Sequence, residues 1–227
     1  MMKRTFAVLA MGAAAGALPA AQGATLSYGA AEAMATTNWT DVLGFSKFDT
    51  SLGTLTSIRF DLTGVVQGIG NAESLDASPT SVTLSLGSLL GLTRPDHSTL
   101  VVANPVFSQT FDLMAYDGAI DFGGTSGATT GSVSASGANF FVSSNAGDLA
   151  LFSAPGGGTI DLGLSASGNS YGAGSGNLIT QFRTGAAGSA QVTYTFTPLA
   201  TVAEPGSLAL VCGGLGLVGA ARRRRKA

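Results

Sequence analysis

The sequence contains almost no cysteine, histidine or tryptophan. Of its 227 residues, one is cysteine (Cys212), one is histidine (His97) and one is tryptophan (Trp39). A single cysteine cannot close an intramolecular disulfide, so the core must be held by burial and strand pairing. A single histidine and no second thiol also exclude the usual zinc sites. We therefore expect no cofactor, no metal site and no enzymatic activity.

Basic charge is scarce away from the two ends of the sequence. Between residues 25 and 200 there are twelve acidic side chains and four basic ones, which gives a net charge of −8. The four basic residues are Lys47, Arg59, Arg94 and Arg183. An acidic surface of this kind favours solubility and opposes binding to nucleic acid, and no basic patch offsets it. We expect no nucleic-acid partner.

The first 24 residues have the pattern of a secretory signal peptide. Lys3 and Arg4 are followed by the apolar run Phe6–Leu18 and then by small residues. The run is too short for a membrane span, and cleavage by signal peptidase after Gly23 or Ala24 fits the small-x-small rule. The sequence predicts export.

Residues 201–227 form a tail with three parts. A short polar motif comes first: Ala203, Glu204, Pro205, Gly206 and Ser207. The uncharged run 208–221 follows, about 21 Å long as a helix, against about 30 Å of bilayer core. A basic stop comes last: Arg222, Arg223, Arg224, Arg225 and Lys226. Its long side chains can snorkel and favour the cytoplasmic side. We expect a short transmembrane helix over 208–221.

The order of these parts resembles the PEP-CTERM sorting signal of Gram-negative envelope proteins. The resemblance covers Ala203–Lys226 and departs at its first position, where Ala203 replaces proline. It implies that an exosortase, a membrane protease, cuts near the motif while the chain is held in the inner membrane. The protein then passes to the cell surface or extracellular matrix. The alternative is a plain C-terminal anchor with a basic stop.

Residues 25–200 predict a single all-β domain, a β-sandwich or jelly roll, because apolar and polar residues alternate in many short runs between glycine-rich turns. The expected core positions are Ile58, Phe60, Leu62, Val192, Tyr194 and Phe196. Further strands are expected at Thr25–Ala31, 82–86, 133–136, 140–143 and 148–152, with an extended segment at Trp39–Phe48. Asn104-Pro105 predicts an edge or corner. Gly156–Gly158 and Gly168–Gly176 are expected to be loops.

Three stretches of this domain resemble the choice-of-anchor E domain, an envelope module with no assigned reaction. They are Phe48–Leu55 with the strand after it, Asp121–Gly127 and Val192–Phe196. The resemblance spans roughly residues 25–198. It implies a surface module that stands ahead of an anchoring tail, and it adds no activity.

A few residues are candidates for chemistry, each with a plainer interpretation. His97 lies in a turn of polar residues and is expected to be solvated. Residues 168–172 match G-x-S-x-G, but a nucleophile elbow needs a strand before it and a helix after it. Residues 214–219 match a dinucleotide pattern inside the apolar tail, with no strand before them. Asp112, Asp117 and Asp121 are expected to cap turns; calcium binding is the alternative.

The sequence thus predicts a non-enzymatic envelope or matrix protein, with exopolysaccharide or biofilm as a candidate association. The alternative is a secreted carbohydrate-active enzyme or a lectin-like binder on a jelly-roll scaffold. Sugar sites stack aromatic rings. The alternative would therefore gain support if Trp39 and two tyrosines lined one groove together with a carboxylate pair.

Overall fold

Residues 23–199, the part of the chain that the computed structural model describes, fold mostly as β-strands. The strands are β1 (Ala24–Thr36), β2 (Trp39–Ser46), β3 (Phe48–Asp49), β4 (Gly53–Ser74), β5 (Thr80–Thr93), β6 (Thr99–Ala103), β7 (Val106–Leu113), β8 (Gly127–Thr129), β9 (Val133–Ser143), β10 (Ser153–Ala154), β11 (Thr159–Gly168), β12 (Tyr171–Gly174) and β13 (Leu178–Pro198). One short helix, α1 (Ala146–Leu151), follows β9. The all-β prediction is confirmed for this part of the chain.

Two antiparallel sheets build a sandwich-like fold. The first sheet has the order β1-β13-β4, and β8 and β9 both pair with the far edge of β4. The second has the order β2-β11-β5, and three further strands, β12, β6 and β7, also pair with β5. A break at Asn104-Pro105 separates β6 from β7, as the proline predicts. The short strands β3 and β10 form a separate parallel pair.

The core lies between the sheets and contains the residues that alternation places on one face. Ile58, Phe60 and Leu62 of β4 are fully buried. Val192 and Tyr194 of β13 are buried too, while Phe196 is half-buried and packs against the same cluster. From the second sheet come Leu43, Leu90, Leu92 and Leu162. The predicted core positions are confirmed, with Phe196 at the margin.

Two local predictions are wrong. The sequence predicts a strand at residues 148–152, but α1 occupies most of them. Asn145 caps this helix, since its side-chain Oδ1 accepts a 2.7 Å hydrogen bond from the Asp148 N–H. Residues 168–176 were expected to be a loop, yet β12 lies inside them and pairs with β5. Pairing with a long neighbour overrides the low strand propensity of glycine.

Several boundaries changed without changing the element type. The candidates 133–136 and 140–143 are one strand, β9, and the first edge strand extends from Ala24 to Thr36. Trp39–Phe48 is extended, as expected, over β2 and the start of β3. Between residues 23 and 199 no helix combines the length and apolar character that a membrane crossing needs. The predicted tail and nearly all of the predicted signal peptide lie outside the described residues.

Candidate functional site

The outer face of the first sheet brings together side chains that are far apart in sequence. Because Ile58, Phe60 and Leu62 face the core, the intervening Arg59, Asp61 and Thr63 face outward. The strand register then fixes their neighbours. Gly29 pairs with Gln191, Gln191 with Asp61, and Asp61 with Phe140, in one row across four strands. We call the residues Arg59, Asp61, Thr63, Phe140 and Gln191 the outer-face platform.

An ion pair and an aromatic ring organise the platform. The Arg59 Nη2 lies 2.7 Å from the Asp61 Oδ1, and the Arg59 Nε–H donates to both carboxylate oxygens at 2.9 Å. These hydrogen bonds raise the pKa of the Arg59 guanidinium. The guanidinium carbon also lies 3.9 Å from the centre of the Phe140 ring, a cation–π contact. Phe140 is nevertheless 55% exposed.

Two shallow depressions flank β4 on this face. One, of about 480 Å³, lies over β1, β13 and β4 and is lined by small residues, among them Gly29, Ala31 and Ser189. The other, of about 160 Å³, lies between β4 and β9 and reaches Phe140. Asp61 and Thr63 line both depressions. The two depressions are neighbours that together extend over three strand spacings, about 14 Å, at right angles to the strands, and we call the pair the trough.

A larger concavity, of about 590 Å³, lies where β1 and β11 end, beside residues 182–185 of β13. Its polar groups hold the fold together. The Ser170 and Thr184 hydroxyls are 3.0 Å apart, and the Asn38 Oδ1 accepts a 3.1 Å hydrogen bond from the Gly168 N–H. Ser170 belongs to the G-x-S-x-G match, and its Oγ accepts a hydrogen bond from the Gly87 N–H. Strand β12 follows it, so the strand–turn–helix context of a nucleophile elbow is absent here.

The three aspartates singled out in the sequence do not converge. Asp112 lies on β7, and the other two cap turns in the loop between β7 and β8. The Asp117 carboxylate accepts hydrogen bonds from the Ala119 and Thr125 N–H groups, which lower its pKa. The Asp121 Oδ1 accepts one from Gly123 at 2.8 Å. Within residues 23–199, no three carboxylate or imidazole side chains stand close enough to share a cation.

Trp39 and the tyrosines, which a sugar-cleaving groove would bring together, lie in separate places. The Trp39 Nε1–H donates to the Ala186 carbonyl. Tyr28 and Tyr194 pack edge to face, and the Tyr194 hydroxyl donates to the Ser46 carbonyl. The other two described tyrosines, at positions 116 and 171, lie on a loop and on β12. The described aromatic residues thus support the core or stand on separate elements.

Among the described residues, Glu32 of β1 and Asp41 of β2 form a carboxylate pair. The side-chain hydrogen bond between the two raises the pKa of Glu32, while hydrogen bonding, chiefly from the Val42 backbone, lowers the pKa of Asp41. Glycosidases hold their two carboxyl groups about 5–9.5 Å apart, with the sugar between them. Two carboxyl groups in direct hydrogen-bond contact do not have that geometry.

Two buried acidic side chains were not singled out from the sequence. Glu73 is fully buried at the end of β4, where its carboxylate accepts hydrogen bonds from the Phe122 N–H and the Ser126 hydroxyl and so fixes the loop that carries them. Asp148 is only 4% exposed and forms a two-bond ion pair with Arg94. His97 is exposed in the turn after Arg94, as expected. Only spatial contacts distinguish the buried carboxylates from solvated ones.

The predicted sorting residues lie outside the described part of the chain. These are Ala203, Glu204, Pro205, Gly206 and Ser207 of the motif, and Arg222, Arg223, Arg224, Arg225 and Lys226 of the basic stop. The described chain leaves the sandwich beside its first strand, since Ala24 of β1 pairs with Phe196 of β13. Both the predicted leader and the predicted tail therefore join the domain at the same end of the first sheet.

Comparison with known proteins gives no relative in sequence. No protein-family model matches this chain, and no curated protein does. Among solved structures, the infectious bursal disease virus VP2 subviral particle aligns at 10% identity over 89% of this chain and 49% of that chain, with a TM-score of 0.17. A structure of the Gx strain of the same virus aligns at 13% identity over 91% and 49%, with a TM-score of 0.14. The chain spans about half the length of these structures, and scores this low support no conclusion about fold or function.

Proposed function

We propose that this chain is an exported cell-envelope or matrix protein that an exosortase sorts through its C-terminal tail. One observation carries the proposal: a polar motif, an uncharged run and a basic stop follow one another in this order within Ala203–Lys226. The exported part is proposed to be a non-enzymatic surface module that associates with extracellular polysaccharide.

The described fold supports the division of the chain that this proposal needs. Strand β1 begins at Ala24, so cleavage after Gly23 would leave the whole strand in the mature domain. Strand β13 ends at Pro198, five residues before the motif. All the strands described thus lie between the proposed leader and the proposed tail. Removing either end would leave the sheet pairing in place.

The tail would first stop the chain from passing completely through the inner membrane. Each charge of the basic stop costs about 2.5–3.5 kcal/mol at the centre of a bilayer, so the cluster holds the chain with Arg222–Lys226 on the cytoplasmic side. Glu204 and Pro205 would then stand just outside the apolar run, at the membrane surface. Pro205 favours a helix start there and keeps the backbone before it accessible to a membrane protease.

Replacing Glu204 and Pro205 together with alanine is expected to trap a longer, membrane-bound form of the protein. The reason is that the variant lacks both the charge and the helix break that would mark the cleavage point. Fractionation of exosortase-positive cells, followed by immunoblotting, measures this change. Pro198→Ala is the matched control, because it makes the same proline substitution at the end of β13, outside the motif, and should be processed like the wild type.

Equal processing of the double variant and the control would contradict the proposal. Full retention of the wild-type protein in the membrane of exosortase-positive cells would also contradict it and would favour the plain anchor.

A further inference from the structure

We propose that the outer-face platform binds a neutral polysaccharide chain that lies across the strands, with the ring of Phe140 stacked on one sugar. The inference rests on the proposed export, since the face would meet such a polymer outside the cell. It names the ligand class and the site for the association proposed above.

The shape of the face suits an extended polymer. The trough through Asp61 and Thr63 is open to solvent rather than enclosed, so it suits the middle of an extended chain. Its floor over β1 and β13 is made of Gly29, Ala31 and Ser189, whose small side chains let a flat ring approach the sheet closely. A closed pocket would instead select a chain end.

Phe140 provides the stacking surface. Its neighbour on the strand, Phe141, faces the core side and stacks on Phe60 at a centroid distance of 6.3 Å, whereas Phe140 faces outward and is 55% exposed. The Arg59 guanidinium packs on one face of the ring, so a sugar would stack on the opposite face. An exposed ring that the fold holds in one orientation loses little entropy when a sugar face packs on it.

Hydrogen-bonding groups follow the ring along the same row. Both Asp61 oxygens accept from Arg59, but each carboxylate oxygen has a second lone pair for a sugar hydroxyl, and Gln191 of β13 offers both a donor and an acceptor beside them. Thr63 and Ser189 add hydroxyls in the next row, where they pair across β4 and β13. Alternating donors and acceptors on a flat surface complement the hydroxyl groups of a pyranose chain.

Charge selects a neutral polymer over an acidic one. Arg59 and Asp61 neutralise each other within the platform. The domain around them carries a net charge of −8, which repels polyanions at ordinary ionic strength. A second copy of this chain fits less well, because stacking two such faces would bury both ion pairs at a cost in desolvation.

The test uses the full-length protein in a zwitterionic detergent that has no sugar headgroup. Native gels cast with a neutral glycan measure binding as retardation; the panel is hydroxyethylcellulose, galactomannan and dextran, with polygalacturonate as the acidic comparison. Because the basic residues 222–226 of the full-length chain can attract a polyanion, polygalacturonate retardation is compared between the wild type and Phe140→Ala, and no difference is expected. At least one neutral polymer should retard the wild type. Phe140→Ala should weaken the apparent affinity at least about tenfold, as expected for an aromatic anchor. Phe140→Tyr should retain binding.

The matched control is Tyr171→Ala, which removes an aromatic side chain that is 59% exposed on β12 of the other sheet. It should bind like the wild type. The proposal is overturned if no neutral polymer retards the wild type, if Phe140→Ala binds the neutral polymer as well as the wild type, or if Phe140→Ala weakens polygalacturonate retardation to the same extent. Light scattering that showed a dimer broken by Phe140→Ala would assign the face to self-association instead. None of these outcomes depends on exosortase processing, so sorting and binding can fail separately.

Discussion

Replacing Asp148 with alanine is expected to lower the free energy of unfolding by about 1.5–3 kcal/mol, because it leaves the half-buried Arg94 guanidinium without its two-bond carboxylate partner. The two side chains form a two-bond ion pair, with the Arg94 Nε 2.7 Å from the Asp148 Oδ1 and the Arg94 Nη2 2.9 Å from the Asp148 Oδ2. Asp148 is 4% exposed and also accepts a hydrogen bond from Asn145. One substitution therefore removes the anchor between α1 and the turn after β5.

The same pair predicts a pH dependence. The hydrogen bonds from Arg94 hold the pKa of Asp148 below its ordinary value. A group whose pKa is lower in the folded state stabilises the fold fully above its unfolded pKa, about 3.9, and loses that contribution as the pH falls through the folded value. The difference in stability between wild type and Asp148→Ala should be constant near neutral pH and should shrink below about pH 4.

Urea unfolding monitored by the fluorescence of Trp39 measures both effects. Trp39 is the sole tryptophan and reports on the sandwich, since its indole N–H donates to Ala186 of β13. The control is Asp61→Ala, which breaks the exposed ion pair with Arg59 and should cost much less, because solvent screens an exposed pair. Equal losses in the two variants would contradict the assignment of Asp148 as a structural anchor.

Replacing Phe60 with alanine is expected to cost about 3–5 kcal/mol, the range for deleting a buried aromatic ring. Phe60 is fully buried on β4, and its ring centre lies 5.0 Å from that of Phe152 and 6.3 Å from that of Phe141. The cavity would open at the junction of β4, β9 and the end of α1, where rings from three elements meet.

Phe140→Ala is the matched control for this substitution, because it also deletes a phenylalanine ring, but from the solvent-facing side of the neighbouring strand. We expect it to lose only the cation–π contact with Arg59, about 0.5–1 kcal/mol at an exposed site. The same urea experiment measures both variants. If Phe140→Ala were as destabilised as Phe60→Ala, the assignment of inner and outer faces on the first sheet would be wrong.

The alternation along β4 explains why much of the fold was predictable. Residues 58, 60 and 62 are apolar and 59, 61 and 63 are polar, so one strand's sequence is enough to divide the inner face from the outer face. The position of Pro105 likewise predicts the break between β6 and β7. Signals of this kind are local, and local signals are what a single sequence contains.

The platform itself could not be predicted in this way. Phe140 and Asp61 are 79 positions apart, and only the register between β4 and β9 makes them neighbours. The helix at 146–151 was missed for a related reason. Its stability depends on the Asn145 cap and on the Arg94 contact, and the latter links residues 54 apart in sequence. Long-range pairing decides both features.

The most direct test of the proposed sorting is the intact mass of the mature protein, compared between cells with and without the exosortase. The account predicts that cells with the enzyme contain a form that begins near Ala24 and lacks Arg222–Lys226, and that cells without it contain a form that keeps them. A mature protein that retains its C-terminal arginines in cells with the enzyme would contradict the account and would establish the plain anchor.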